Sequence, residues 1–465
     1  MPSLPEPVDP AQASDRAVAA DPGQAADGAL AADPAQPAGR AGSGPGASPP
    51  GPAALGGGTG EPGWRRALRW AGQANLAVVT FLAVVFGLFV GAVLIVVTTN
   101  STLDAWGHVL SSPGHTLSLT FSTIGHAYGA LFTGSIFSPS AVSHAISTGT
   151  GWSQVFTPIS ETLVSATPLI LAGIGVSIGF QSGVFNIGGQ GQLICGALAA
   201  TYVGFGVHLP IALHLPLVVL AGAAGGAVAG FIPGILKART GAHEVIVTIM
   251  LNYIFLYLLS YLLTTSPLQQ PGQSNSISRT VPATARLPHL FGGGLRVNVG
   301  ILIALAVVAG AAWFMRRSTL GFELRVVGSN PAAARTAGMD ARRAAVLAMV
   351  ISGALVGLAG MSTLAGTDYF LSTAYGGSNG FNAITVSLLG RNRPVGVLLG
   401  ALLFAALSTG GRYMQATTGI PLDLTAVIQA VIVFLVATPA LVQEIFRLRS
   451  AGTGKIILFA KGWGG

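Results

Sequence analysis

The sequence predicts an all-α polytopic membrane protein with about ten transmembrane helices. Hydrophobic residues make up 51% of the chain and charged residues only 8%, a balance that is typical of helical membrane proteins. No Lys or Arg occurs between Ala71 and Leu236, so the net charge of +8 is gathered in a few loops and at the two ends. This distribution indicates membrane topology and argues against a nucleic-acid-binding face.

The two ends of the chain differ from its apolar middle. Residues 1–62 are rich in Ala, Pro, Gly and Asp, and we expect a disordered cytoplasmic tail because they bury too little apolar surface to offset the entropy lost on ordering. A basic aromatic stretch, 64–70, then begins a membrane domain that we place at residues 63–445. Residues 446–465 are predicted to be a cytoplasmic C-terminal tail.

Ten apolar runs are predicted to cross the membrane. A spanning helix needs roughly 20 residues, so the eighth run, taken with its flank, and the ninth are marginal. In chain order the runs are 76–98, 162–181, 190–207, 213–236, 245–265, 299–315, 343–364, 380–390, 395–410 and 422–442. The eighth and ninth runs are short and flank the turn Arg391–Pro394. Residues 101–157 are expected to form an exterior loop or surface helices.

Basic residues orient these spans, because cytoplasmic loops of membrane proteins are enriched in Lys and Arg. Placing both termini in the cytoplasm also places there Lys237, the arginines of 316–343 and the turn 391–394. The outer loop 266–298 is the exception to the rule. It carries Arg279, Arg286 and Arg296.

Residues 321–338 predict a short polar helix inside the basic stretch. Asn330 suits the N-cap, Pro331 suits the first helical position and Gly338 suits the left-handed residue that ends a helix. Two interpretations are open at this point. The helix either docks a cytoplasmic partner or merely joins two spans.

The chain carries no recognisable catalytic machinery. The string 452–455, GTGK, lacks the spacing and the Ser/Thr of a phosphate-binding loop, and no nucleophile–base or metal-binding constellation is visible. The carboxylates nearest to spans lie close to the predicted span ends, which argues against an ion-coupled carrier and for a neutral cargo. They are Glu161, Glu244, Asp368 and Asp423.

The polar residues inside the spans are amides. Residues 179–192, GFQSGVFNIGGQGQ, interrupt an apolar pair of runs with glycines and amides, and a similar string occurs at 377–382. Such side chains either hydrogen-bond a polar solute, with Phe185 stacked on a ring, or hold a tight interhelical turn. The candidate pathway residues are Phe185, Asn186, Gln190, Gln192, Asn252, Phe381 and Asn382.

Four strings carry a family resemblance over about residues 65–445. They are SGVFNIGGQGQ (182–192), GAHEVIVTIMLNYI (241–254), LRVVGSNPAAARTAGM (324–339) and FNAITVSLLGRNRPVG (381–396). Together they resemble the permease subunits of bacterial ABC importers for nucleosides, within a group that includes ribose, galactose and branched-chain amino-acid permeases. The chain departs from the family pattern at Gln190, where an acidic residue is common, and at His243 and Arg393, where asparagine is frequent.

The resemblance implies a transport subunit of the bacterial cytoplasmic (inner) membrane. Its partners would be a second homologous permease, an ATP-binding subunit that carries ATP and Mg²⁺, and a substrate-binding lipoprotein; the chain itself would hold no cofactor. Residues 330–338 would be the coupling helix that the ATPase moves. The coupling residues so implied are Gly328, Asn330, Pro331, Ala333, Arg335 and Gly338. Ribose-like sugars or branched-chain amino acids as cargo, and an ion-coupled secondary carrier, are the alternatives.

Overall fold

The computed structural model describes residues 76–292, 294–438, 442 and 445. Helices dominate these residues, which contain isolated β-bridges but no β-strand. The first helices are α1 (Leu76–Thr98), α2 (Asn100–Gly107), α3 (Pro113–Ser135), α4 (Pro139–Thr148), α5 (Trp152–Gln181), α6 (Gly189–Gly206), α7 (Ile211–Thr240) and α8 (Glu244–Leu262). After an outer loop follow α9 (Gly300–Arg317), α10 (Thr319–Ser329), α11 (Pro331–Thr336), α12 (Ala341–Thr363), α13 (Asn379–Leu389), α14 (Pro394–Thr418) and α15 (Asp423–Ala437).

Seven helices in this part of the chain are long and apolar enough to cross a membrane: α1, α5, α7, α8, α9, α12 with its π-helical extension Leu364–Asp368, and α14. Helix α15 is apolar but shorter. The other two predicted spans coincide with α6 and α13. The protein is therefore a multi-pass, all-helical membrane protein. The predicted tails 1–62 and 446–465 and the stretch 64–70 lie outside the described residues.

Two helix lengths differ from the prediction. Helix α5 begins at Trp152 and not near residue 162, because Pro158 and the polar residues around it are accommodated in an exposed first part of the helix. Helix α14 extends to Thr418, eight residues beyond the predicted end. The polar segment before α5, expected as loop or surface helices, forms α2, α3 and α4, and α3 packs along α14.

The core is built around α5 and α12, whose side chains are mostly buried. Helices α6, α7 and α8 lie on one side of this pair, and α3, α13 and α14 lie against α5 on the other. Helix α15 packs on α1. Apolar side chains from all these helices form one continuous cluster.

Glycines set the separation of α7 and α12, which form the most extensive helix pair. Gly222, Gly226 and Gly230 recur every four residues on α7 and face Gly353 and Gly357 of α12. A Cβ atom at Gly226 would collide with the carbonyl oxygen of Gly353 and would stand 2.6 Å from the Cα of Gly357. The two backbones are therefore in direct contact, as in small-residue packing of membrane helices.

This packing predicts that Gly226→Val destabilises the protein. The added side chain meets backbone atoms, which cannot rotate away, so the free energy of unfolding should fall by about 1–3 kcal/mol or more. Thermal unfolding of the purified protein in detergent, followed by tryptophan fluorescence, measures the change. Gly310→Val in α9 is the matched control, because a Cβ there meets no atom within 4 Å. An equal loss in both variants would contradict the packing argument.

Candidate functional site: the α11 helix and the amide turn

Helix α11 has the N-cap that its sequence predicts. Asn330 adopts an extended backbone conformation, and its side-chain oxygen accepts hydrogen bonds from the backbone N–H groups of Ala332 and Ala333, both at 3.1 Å. Pro331 occupies the first helical position, where no N–H is needed. A helix of only six residues thus gains partners for its first free donors.

The other end of α11 is closed by a left-handed glycine. Gly338 has a φ of +80°, and the N–H of Met339 donates to the carbonyl of Ala334 at 2.9 Å. A second bond runs from the N–H of Gly338 to the carbonyl of Arg335 at 3.0 Å. This bond pair is the Schellman arrangement, which ends helices at a glycine. A Cβ at Gly338 would meet no atom, so the requirement for glycine is conformational.

One face of α11 is anchored and the rest is presented to solvent. Ala334 is fully buried in a small cluster that includes Leu324, Val327 and Met349. Pro331, Ala333 and Arg335 are exposed. The following helix α12 is itself capped by Asp340, whose carboxylate accepts from the backbone N–H of Arg342 at 2.9 Å. The helix is therefore a fixed projection with an exposed outer face.

Gly328, at the end of α10, connects this projection to the membrane core. A Cβ at Gly328 would collide with the carbonyl oxygen of Gln181, where α5 ends. On the opposite side, Gly183 has a φ of +71° and its own Cβ would stand 2.9 Å from the Cα of Gly328. Beside this backbone contact lies a cleft of about 850 Å³, bordered by Lys237, Arg335 and Asp340.

The turn between α5 and α6, residues 182–188, is held by an amide pair. Asn186 donates to the Gln192 side-chain oxygen at 2.8 Å, and Gln192 donates back to the Asn186 oxygen at 3.1 Å. Asn186 also donates to Ser352 Oγ of α12 at 2.8 Å and accepts from the N–H of Gly188 at 3.0 Å. Asn186 is fully buried, and its side-chain nitrogen and oxygen both have hydrogen-bond partners.

Two further buried amides tie this turn to neighbouring helices. Asn252 of α8 accepts from the N–H of Gly191 at 2.8 Å and donates to the carbonyl of Ile187 at 2.9 Å. Gln190 accepts from the N–H of Gly380 at 3.1 Å and donates to the carbonyl of Tyr375 at 3.5 Å. Gly189 allows this approach, since a Cβ there would stand 2.8 Å from the carbonyl oxygen of Gly380.

These contacts lie about halfway along the membrane-crossing helices. Asn252 is eight residues into α8, which corresponds to about 12 Å of helix. Helix α13 has 11 residues, and at 1.5 Å per residue its first turn lies about 16 Å from the turn at residues 390–393. Half of a bilayer core is about 15 Å. The contacts of Asn252 with Gly191 and of Gln190 with Gly380 are therefore at mid-depth, whereas the first part of the turn, where Gly183 meets Gly328, lies towards the end of the molecule that carries α11.

The remaining predicted pathway residues stand outside this network. Phe185 is 53% exposed and Phe381 is 47% exposed. Phe185 lies next to Asn186 in the chain, and Phe381 lies next to Gly380. Asn382 is partly buried and donates only to Ser378 Oγ, at 3.1 Å. The structure thus joins Asn186, Gln190, Gln192 and Asn252. The half-exposed Phe185 ring packs on one side against Phe180, with 5.0 Å between the ring centroids, and Phe381 and Asn382 lie outside the network.

Sequence reasoning missed Asn392, whose backbone conformation is left-handed with a φ of +56°. Its carbonyl accepts from Ser177 Oγ at 2.8 Å and from the Gln181 side chain at 2.6 Å. Its side-chain oxygen accepts from Ser387 Oγ at 2.8 Å. The only signal in the sequence was an asparagine before Arg-Pro. Ser387 lies five positions away, but Ser177 and Gln181 lie more than 200 positions away in α5.

Comparison with known proteins supports a transport role. The family described as the permease component of the branched-chain amino acid transport system matches residues 158–437. The guanosine ABC transporter permease protein NupP of Bacillus subtilis is 39% identical over 62% of this chain and 84% of that protein. The glucose ABC transporter permease protein TsgB13 of Haloferax volcanii is 38% identical over 60% and 76%.

A nucleoside ABC transporter permease protein of Lactococcus lactis, NupB, is 33% identical over 61% of this chain and 80% of that protein. Bacillus subtilis contributes a second, more distant match, the guanosine permease protein NupQ, at 29% over 57% and 85%. No solved structure matches the chain.

The amide network predicts different effects for two asparagines. Asn186→Ala leaves the N–H of Gly188, the Gln192 amide and Ser352 with fewer partners, and each unsatisfied buried group should cost about 1–3 kcal/mol of unfolding free energy. Asn382→Ala removes one hydrogen bond near the surface and should change stability by less than about 1 kcal/mol. Thermal unfolding of the two purified variants tests this; a similar melting temperature for both would refute the structural role of Asn186.

Proposed function

Because the chain belongs to the family of permease components of branched-chain amino acid transport systems, we propose that it carries nucleosides as the membrane-spanning subunit of an ATP-binding-cassette importer. The chain is a transport component. A partner subunit would bind ATP with Mg²⁺ and hydrolyse the ATP. The proposed location is the bacterial cytoplasmic membrane, with both termini in the cytoplasm. The nucleoside cargo is supported by the guanosine and nucleoside permeases among its relatives.

The observation that supports this cargo best is the pair of exposed rings beside the amide turn. Phe185 precedes Asn186, and Phe381 follows Gly380. Both neighbours are hydrogen-bonded in the amide network, which therefore fixes the backbone at the two phenylalanines. Exposed aromatic faces suit stacking on a nucleobase, and the seven proposed pathway residues carry no charge, which suits a neutral solute. In this proposal Phe185, Phe381 and Asn382 contact the solute, while Asn186, Gln190, Gln192 and Asn252 hold the wall.

Helix α11 is proposed to be the coupling helix. Its caps stabilise a helix of only six residues. Its outer face is exposed, and Arg335 on that face borders a cleft. The contact of Gly328 with Gln181 and Gly183 involves backbone atoms on both sides. A displacement of α11 by an ATPase would therefore reach the α5–α6 turn without being absorbed by flexible side chains, and the amide turn follows directly in the chain.

The proposed assembly contains a second permease, an ATP-binding subunit and a substrate-binding lipoprotein. A second permease is supported by the guanosine permeases NupP and NupQ of one organism, both of which match this chain. The lipoprotein would meet the end of the molecule opposite to α11.

Sugar transport is the second candidate cargo. The glucose permease TsgB13 matches this chain at 38% identity, one percentage point below the guanosine permease NupP. A sugar would use hydrogen bonds to Asn382 but would gain less from the two exposed rings.

The coupling proposal predicts that Arg335→Glu combined with Ala333→Glu uncouples ATP hydrolysis from transport. Two carboxylates on the exposed face change both its charge and its shape, whereas buried Ala334 is untouched. Stimulation of ATPase activity by loaded binding protein, measured in the reconstituted complex, should fall at least about tenfold, as the loss of one charge-assisted contact predicts. Arg317→Glu at the end of α9 is the control for a charge reversal outside α11, with a charge change of −2 against −3 in the double variant. Unchanged stimulation in the double variant would exclude α11 from coupling.

The cargo proposal predicts that labelled guanosine and uridine are taken up faster than glucose or ribose. Phe185→Ala and Asn382→Ala should each lower nucleoside uptake several-fold per assembled complex, since each lost contact to a neutral solute is worth about 1 kcal/mol. Uptake of ribose or glucose above every nucleoside would favour the sugar alternative. Uptake driven by a proton gradient without ATP would refute the importer class.

A further inference from the structure

A groove with three arginines at one end runs along the membrane-facing side of the fold. We call it the arginine groove; its volume is about 720 Å³. Its basic end is formed by Arg316, in the last turn of α9, and by Arg391 and Arg393, in the turn between α13 and α14. Its walls continue along α1 and α14.

Arg391 is positioned without a hydrogen-bond partner for two of its nitrogen atoms. Nε and Nη2 are both buried, and neither donates to any group in the structure. The ion pairs found among the described residues, Lys237–Glu244 and Arg296–Glu161, lie elsewhere. Burial and the adjacent Arg393 both lower the pKa of Arg391 below its ordinary value. A phosphate in the groove would offset the positive charge that Arg391 and Arg393 share.

The backbone around Arg391 is held in place independently of any ligand. Arg391 has a φ of +52°, a left-handed conformation that an unbranched but long side chain seldom adopts. The next residue, Asn392, is fixed by hydrogen bonds from α5 and from Ser387. The turn is therefore clamped to the core in a conformation that directs the guanidinium group into the groove.

The walls of the groove suit hydrocarbon. Phe81 of α1 is 67% exposed and Leu399 of α14 is 62% exposed, and both helices are long and apolar enough to span a membrane. Leu399 lies about 8 Å along α14 from Pro394, so the apolar wall begins directly above the arginines. A small soluble anion would leave this wall unused, and an acidic protein segment would have to enter the bilayer to reach it.

We propose that the arginine groove binds an anionic phospholipid, whose phosphate contacts the three guanidinium groups and whose acyl chain lies against the wall of α1 and α14. The basic residues at this end of the molecule place it in the cytoplasmic leaflet by the positive-inside rule. Basic pockets between membrane helices on the cytoplasmic side are suited to anionic headgroups. The planar guanidinium fork matches a phosphate in a way that a lysine does not.

Native mass spectrometry of the delipidated full chain tests this proposal. The protein is titrated with phosphatidylglycerol, with phosphatidylcholine of the same acyl chains, and with glycerol 1-phosphate, which is the headgroup without hydrocarbon. Phosphatidylglycerol should bind to a saturable site at least about tenfold more tightly than phosphatidylcholine, as expected for charge-assisted hydrogen bonds. Glycerol 1-phosphate should not bind in the same concentration range.

Variants assign the binding to the groove. The double variant Arg391→Gln, Arg393→Gln should lose at least about tenfold in affinity for phosphatidylglycerol. Arg317→Gln removes one positive charge next to Arg316 but outside the groove lining, and it should leave affinity within about twofold. Leu399→Trp places a larger side chain in the groove at an exposed position of its wall and keeps all three arginines. It should weaken lipid binding without unfolding the turn.

Several results would overturn the proposal. Equal affinity for the two lipids would show an apolar groove without headgroup recognition, and glycerol 1-phosphate binding as tightly as the lipid would show a soluble-anion site. An equal loss in Arg317→Gln would show diffuse surface charge. Lipid binding unchanged in both the double variant and Leu399→Trp would place the lipid elsewhere.

Discussion

The fold depends on finding hydrogen-bond partners for the backbone N–H and C=O groups that are left free where helices are interrupted inside the bilayer. Helices α5 and α6 are separated by residues 182–188, and α13 begins beside the start of α6, where Gly380 meets Gln190. Unpaired N–H and C=O groups inside a bilayer cost several kcal/mol each. Two side-chain amides resolve this in the same way, since each accepts from one backbone N–H and donates to one backbone carbonyl. They are Asn252 with Gly191 and Ile187, and Gln190 with Gly380 and Tyr375.

An amide that bonds in this way replaces a missing peptide group of the helix. It also fixes the distance between the two backbone segments that it joins. The glycines beside it follow as a consequence. Gly189 and Gly380 have to be glycine because the bond from Gly380 to Gln190 brings two backbones into contact. Gly328 and Gly183, at the start of the turn, likewise bring two backbones into contact. The path from α11 to the amide turn is thus a series of backbone contacts with little freedom, as the proposed coupling between an ATPase and a solute pathway would require.

Local features of this fold were predictable from the sequence and long-range ones were not. The caps of α11 were predictable because Asn330, Pro331 and Gly338 act within nine residues. The ten apolar runs likewise coincide with helices. The amides Asn186, Gln190 and Asn252 were recognised as unusual, but a choice between solute contact and structural bonding depends on partners such as Ser352 and Gly380, more than 160 positions away. The start of α5 was missed because Pro158 and its polar neighbours resemble a loop in composition.

The arginines show how position and partner together determine what a basic residue does. The outer loop 266–298 departs from the positive-inside rule, and its arginines are engaged: Arg286 lies 4.3 Å from the ring centroid of Tyr369, and Arg296 contacts Glu161 at 3.1 Å. Arg279 lacks a hydrogen bond at Nε but lies over the ring of Phe205, with its guanidinium carbon 5.5 Å from the ring centroid. These contacts with aromatic rings and a carboxylate hold the outer loop against the helices. Arg391 has two buried donors without a hydrogen bond and sits beside two more arginines, and neither ion pair found among the described residues, Lys237–Glu244 or Arg296–Glu161, neutralises this cluster.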